Sequence, residues 1–168
     1  CLNQAFEKHI IIDNPMRGIE GYKGIETTRL YLTLDEVKKL AVTPCNVPAI
    51  KDAFLFSCLT GLRRSDILSL TWDEVHEQDG MTRIIFKQVK TVGIEYLDIS
   101  PQAVKYMRHV DDTLVFPYIH TCGSTNNILK VWAANAGIEK DITFHCGRHT
   151  FATLMLTLGT DLYTVSKL

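Results

Sequence analysis

Between Pro48 and Gly61 the chain reads Pro-Ala-Ile-Lys-Asp-Ala-Phe-Leu-Phe-Ser-Cys-Leu-Thr-Gly, a stretch that proline opens and glycine closes. Proline fits the first turn of a helix, and glycine tolerates the left-handed backbone that ends one. Between them Ala49, Ile50, Ala53, Phe54, Leu55, Phe56, Cys58 and Leu59 put apolar groups on nearly every side. A helix that is apolar all round has no face to offer water, so this one is predicted to be the buried central helix of the domain. Everything else must be arranged to cover it.

The segments on either side fit that role. Thr33-Leu34-Asp35-Glu36 is a capping box, in which a hydroxyl caps a helix start while a glutamate three residues on reaches back; the helix it opens carries Leu34, Val37, Leu40 and Ala41 on one face. Thr82–Phe86 and Ile94–Ile99 read as the two strands of a hairpin with Gly93 near the turn. Ser100-Pro101 predicts a helix running on through Ala103, Val104, Met107 and Val110; another spans Ser124 to Ala136 and stops at Gly137. A last long helix is predicted from near Thr143 to Leu158, with Phe144, Gly147, Phe151, Leu154, Met155 and Leu158 as its apolar stripe, and Gly159-Thr160-Asp161 introduces one more. At the other end, residues 1–10 read as the last turns of a helix with Leu2, Phe6 and Ile10 on one face, ended by Asp13-Asn14-Pro15. From Met16 to Thr28 there are three glycines and no apolar period, as expected of a linker. The expected fold is mainly α with a small antiparallel β-hairpin, in one main domain.

The net charge of −1 argues against a nucleic-acid binder, because neutralising phosphates supplies much of such affinity. Local arrangement has to meet that objection: a compact site needs only a few placed cations. No apolar run approaches the roughly 18 residues that span a bilayer. The first residue is Cys1, with no signal-peptide pattern after it, so an excised piece of a cytoplasmic protein is expected. The five cysteines, Cys1, Cys45, Cys58, Cys122 and Cys146, show neither regular spacing nor a C-x-x-C pair and are read as reduced thiols.

Three pieces carry chemistry. In Thr60-Gly61-Leu62-Arg63-Arg64-Ser65-Asp66 the buried helix gives way through glycine to two arginines. A guanidinium fixed there and partly desolvated suits a phosphate, with a planar fork of donors and a charge it does not lose; the plainer alternative is a surface pair with Asp66 or Glu74. In Thr143-Phe144-His145-Cys146-Gly147-Arg148-His149-Thr150-Phe151-Ala152, His145 and Arg148 stand three apart at the edge of the apolar stripe, where both can reach one phosphate. The alternative is a core-edge histidine bonded to a carbonyl beside a solvated arginine. His145 and His149 are also four apart, as two zinc ligands on one helical face are, but Cys146 stands where a hydrolytic zinc site has glutamate. A structural site from His120, Cys122, Cys146 and His149 matches no closed zinc spacing. The third piece is Lys87-Gln88-Val89-Lys90-Thr91 between the two strands, where a lysine at a turn tip either swings into a groove or is solvated.

In this order the three pieces resemble the tyrosine recombinases: phage integrases, Xer-type recombinases and integrases of conjugative transposons. The resemblance rests on Thr60-Gly61-Leu62-Arg63 with Ser65-Asp66, on His145-x-x-Arg148-His149-Thr150-Phe151-Ala152, and more loosely on Lys90-Thr91. It runs from about Thr27 to Leu168 and implies a DNA breaking-rejoining domain over 29–168, a linker at 15–28, and at 1–14 the final helix of a core-binding domain. It implies Arg63, Lys90, His145 and Arg148 as catalytic residues and Arg64, Lys87 and His149 as DNA-binding ones. It further implies double-stranded DNA at a specific attachment site as partner, self-association as a tetramer, no membrane, and neither metal nor organic cofactor. The family's usual leucine is replaced by Gly147, which predicts looser local packing. Thr164-Val165-Ser166-Lys167-Leu168 looks like the approach to the family's Leu-Gly-His motif, so that histidine and the nucleophilic tyrosine are expected beyond Leu168; Tyr163 stands too early to be that nucleophile. A non-cleaving DNA-binding accessory or regulatory protein with the same fold is the alternative.

Overall fold

Pro48 and Gly61 bound the helix they predict. In the computed structural model, which describes residues 2–15, 29–78, 80–87, 93–109, 113–119 and 124–167, helix α3 runs Pro48–Thr60, and Gly61 caps it with a left-handed backbone at φ 74°. Helices α1 (Leu2–Glu7) and α2 (Leu34–Val42) precede it; α4 (Arg64–Ser69), α5 (Pro101–Val104), α6 (Thr125–Asn135), α7 (His145–Thr157) and α8 (Leu162–Lys167) follow. Ile50, Ala53, Phe54, Leu55, Phe56 and Cys58 of α3 are all essentially inaccessible, so α3 is the central helix. Phe54 meets Trp132 of α6 and Phe144 before α7 edge-to-face, at 6.1 and 5.8 Å between centroids. That geometry suits the ring quadrupoles. Trp132 is fixed in turn, its Nε1 donating to the Thr43 carbonyl at 3.1 Å.

The capping box forms as expected, with Glu36 N bonded to Thr33 Oγ1 at 3.3 Å and Thr33 N to Glu36 Oε2 at 2.7 Å. Strands β2 (Met81–Lys87) and β3 (Ile94–Ile99) pair antiparallel with Ile84 opposite Leu97 and Lys87 opposite Ile94. Ile84, Phe86 and Ile99 face the core. A further strand, β1 (Val75–Gln78), joins β2 to make a three-stranded sheet ordered β1-β2-β3. The fold is thus mainly helical with one small antiparallel sheet. Among the described residues no helix is long and apolar enough to cross a membrane.

Three expectations about the helices need correction. After Val104 the chain tightens, with Tyr106 N bonding the Ala103 carbonyl and Met107 N that of Val104, so α5 ends before Met107; Val110 lies outside the described residues. At the N-terminus α1 stops at Glu7, and His9 turns the chain with φ 55°, which leaves Ile10 exposed beyond the helix. In α7 the buried positions are Cys146, Gly147 and Thr150, and Leu158 is 81% exposed. Phe144 and Gly147 of the predicted stripe are buried, but Phe151, Leu154 and Met155 are only partly so, and Cys146 and Thr150 are buried in their place, so the buried line is turned from the predicted one toward Cys146 and Thr150.

Candidate active site

The first charged motif leaves α3 through a loop tied back onto the helix. Gly61 N donates to the Ser57 carbonyl at 2.9 Å, Ser57 Oγ to the Leu62 carbonyl at 2.8 Å, and Thr60 Oγ1 to the Phe56 carbonyl at 2.8 Å. Arg63 follows with an extended backbone as the N-cap of α4. Its Nη1 stands 4.0 Å from Asp66 Oδ2, and the Asp66 side chain is only 2% exposed. The ion pair expected as a surface alternative therefore forms, but on a buried carboxylate that also lies within 3.4 Å of Ser65 Oγ. Arg64, by contrast, is exposed and makes no ion pair among the described residues.

The second motif is pressed against the first. A Cβ built on Gly147 would stand 2.8 Å from Ser57 Oγ and 3.0 Å from Ser57 Cβ, and one on Gly61 would stand 2.5 Å from Phe151 Cδ1. Gly147 thus does not loosen the packing as expected; it removes the side chain from the point where α7 touches α3. That approach delivers Arg148, whose Nη1 donates to the Gly61 carbonyl at 2.7 Å across 87 residues of sequence. A guanidinium has five donors, and this bond uses one of them. Burial, then the neighbouring Arg63 charge, pull the Arg148 guanidinium below its ordinary range, while Asp66 acts in the opposite direction. Arginine titrates so far above neutrality that it stays charged.

His145 is the first residue of α7 and is exposed; His149, one turn on, is partly buried. Their rings meet edge-to-face with centroids 4.5 Å apart. Burial lowers the His149 imidazole below its usual range, and the charges of His145, Arg29 and Arg148 lower it further, which favours the neutral ring near pH 7. Among the described residues no set of three or more His, Cys, Asp or Glu is placed to hold a metal ion; His120 and Cys122 lie outside them. Lys87 is the exposed last residue of β2. Lys90 lies outside the described residues.

The structure therefore brings together Arg63, Arg148, His145 and His149 around the α3–α7 contact. It sets Arg64 outward and Lys87 at the sheet end. Sequence reasoning named Asp66 only as a surface partner and gave Thr150 no supporting role. Asp66 is buried beneath the arginines, a position signalled by its place among Leu62, Ile67 and Leu70, all buried. Thr150, fully buried in α7, accepts a hydrogen bond from Leu32 N at 2.9 Å and ties the chain entering the domain to the second motif.

Residues 30–168 match the family described as Phage integrase family. Tyrosine recombinase XerD of Listeria innocua serovar 6a is 33% identical over 174 aligned positions, covering 92% of this chain and 58% of the relative. XerD of Lacticaseibacillus casei is 29% identical, covering 94% and 60%. The chain thus spans a little under two thirds of the length of these curated relatives. Among solved structures, the XerA recombinase superposes with a TM-score of 0.63 at 20% identity, covering 88% of this chain and 56% of that one. The Tn1549 transposon integrase in complex with circular intermediate DNA gives 0.68 at 15% identity, covering 98% and 65%. At such identities the likeness is one of fold.

Proposed function

We propose, on the premise that this chain belongs to the phage integrase family, that the protein carries out site-specific DNA recombination by transesterification through a 3′-phosphotyrosyl intermediate. A tyrosine oxygen attacks a backbone phosphorus, the tyrosyl–phosphate bond forms, and the 5′-oxygen leaves with a proton. The 5′-hydroxyl of a partner strand then reverses the step, so the number of phosphodiester bonds is conserved and no external energy source is required. The nucleophile in this reading belongs to sequence outside residues 1–168.

Arg63 and Arg148 neutralise the charge that builds on the pentacoordinate phosphorus, where donors already fixed in place count for more than they do in water. Lys90 protonates the leaving 5′-oxygen, and His145 assists proton transfer at the nucleophile or positions the phosphate. Arg64, Lys87 and His149 contact the DNA outside the chemistry. Residues 29–168 form the catalytic domain, 15–28 the linker and 1–14 the last helix of a core-binding domain. The partner is double-stranded DNA at a specific attachment site, bound by a tetramer in the cytoplasm, and the arginines and the side-chain nucleophile make a metal or organic cofactor unnecessary.

The observation that carries this reading is the bond from Arg148 Nη1 to the Gly61 carbonyl, which sets the arginine of the second motif on the backbone of the first. The test is to incubate the full-length protein with a nicked suicide substrate bearing the attachment site and to look for a denaturation-resistant protein–DNA adduct. An adduct is expected with the wild type and not with Arg63→Ala or Arg148→Ala. Specific DNA binding without any adduct favours the non-cleaving accessory protein, and an adduct mapped to Tyr163 would overturn the assignment of the nucleophile.

A further inference from the structure

His149 is surrounded by charge of one sign. The groups whose charge acts on it are His145 and Arg148 from its own helix and Arg29 from the chain entering the domain. Like charges held together cost stability in the free protein, and the cost is recovered when an anion binds among them. His145 and Arg148 already belong to the candidate site. Arg29 does not: it is exposed, precedes α2, and makes no ion pair among the described residues.

The chain just after it is nevertheless anchored at two points. Leu32, fully buried, donates its backbone N–H to Thr150 Oγ1 at 2.9 Å, one residue beyond His149 on α7. The Tyr31 carbonyl accepts from Lys140 Nζ at 3.0 Å; the same ammonium lies 5.6 Å from the Tyr31 ring centroid and 2.7 Å from Glu36 Oε2. Three residues of chain reach at most roughly 10 Å, so these anchors confine the Arg29 backbone to the neighbourhood of α7. An arginine on so short a tether gives up less freedom on binding than one on a long untethered arm.

We propose that Arg29 is a further DNA-binding residue of this protein: it takes a backbone phosphate next to the one held by Arg63 and Arg148, which makes residues 29–32 part of the DNA-contacting surface. This rests on the reading of the α7 face as the site of phosphodiester exchange. His149, between the two phosphate positions, serves both as a neutral hydrogen-bonding group. Leu32 and Thr150 couple the entry of the chain into the domain to the helix that carries the chemistry.

Arg29→Gln in the full-length protein tests this with two readouts. Each phosphate neutralised contributes about 0.9 to the slope of log affinity against log salt, so the substitution should flatten the slope for attachment-site duplex by about one, and Arg29→Lys should restore it. In the free protein, an NMR titration of the His149 ring should move to higher pH in Arg29→Gln, since one depressing charge is gone. An unchanged salt slope overturns the proposal, as does a His149 titration indifferent to the substitution. Failure here is distinguishable from failure of the functional reading: if Arg63→Ala and Arg148→Ala still abolish the covalent adduct, only the role of Arg29 falls.

Discussion

The contact between α3 and α7 and the outer face of the sheet both display arginine, and they hold it in opposite ways. On the sheet, Arg83 forks onto Asp98 directly across from it on β3, with Nε and Nη2 at 2.6 and 2.9 Å from the two carboxylate oxygens, at the solvent-exposed surface. At the helix contact, Arg148 is half-buried and rests on a backbone carbonyl, while Arg63 stands 4.0 Å from the buried carboxylate of Asp66, whose charge also acts on Arg148. The first arrangement is complete in itself. The second gathers two guanidinium groups in a setting that backbone and packing fix beforehand. An arginine consumed by its neighbour supports structure; one positioned by a carbonyl is available to a ligand.

The contrast breaks first, if it breaks, on activity. Arg63→Ala and Arg148→Ala in the full-length protein should each slow formation of the covalent adduct on the order of 10²–10³-fold or more, the loss typical of removing a fixed donor to a developing oxyanion. Arg64→Ala, one residue along but outward, should leave the cleavage rate near that of the wild type and weaken DNA binding instead. Equal losses at Arg63 and Arg64 would mean that the seam holds its arginines no more specifically than the surface does.

The next effect is on stability and concerns the glycine that lets the helices meet. Gly147→Leu places a side chain where Cβ alone would stand 2.8 Å from Ser57 Oγ, and overpacking of this kind costs about 1–3 kcal/mol. Chemical denaturation checks it. Ser57→Ala in the same protein should recover only part of the loss, because Ser57 Cβ is itself 3.0 Å away. A fully stable Gly147→Leu would show that α7 can slide on α3, and the placement of Arg148 would then not be rigid.

These features divide by how much of the sequence each one needs. The central helix was legible because Pro48, Gly61 and the apolar residues between them are local signals that agree. The same holds for the Thr33–Glu36 capping box and for the two strands of the hairpin. The motif residues could be named in advance by resemblance. What pattern could not give were the pairings across distance: Arg148 on the Gly61 carbonyl, Gly147 on Ser57, Thr150 on Leu32 N. Each joins positions far apart in the chain, and nothing near Gly147 reveals which side chain a Cβ would strike. β1 was missed for a related reason, since Val75-His76-Glu77-Gln78 has little apolar alternation and is a strand chiefly because β2 offers it an edge.

A smaller effect tests the buried tie beside the site. Thr150→Val keeps the shape of the side chain and removes the acceptor, so the Leu32 N–H, which is buried, loses its partner. An unpaired buried donor costs about 1 kcal/mol or somewhat more, and amide exchange at Leu32 should accelerate beyond what the global loss of stability explains. Unchanged exchange at Leu32 would show that the segment entering the domain is held by Lys140 alone.

The smallest effect belongs to the sheet, and its smallness is the point. Arg83→Gln removes one half of a well-formed fork, but both partners are solvated, and exposed pairs contribute little because water and salt screen them. The hydrogen bonds and charge of Arg83 hold the Asp98 carboxyl below its usual range. A depressed carboxylate contributes stability above its ordinary pKa and loses it as pH falls through the folded-state value. The difference in melting temperature between wild type and Arg83→Gln should therefore be small at pH 7, shrink with added salt, and disappear in acid once Asp98 is protonated in the folded protein. A loss at pH 7 that matches Thr150→Val and resists salt would show that the sheet pair is as structural as the buried tie, and the distinction between a completed arginine and an available one would have to rest on the helix contact alone.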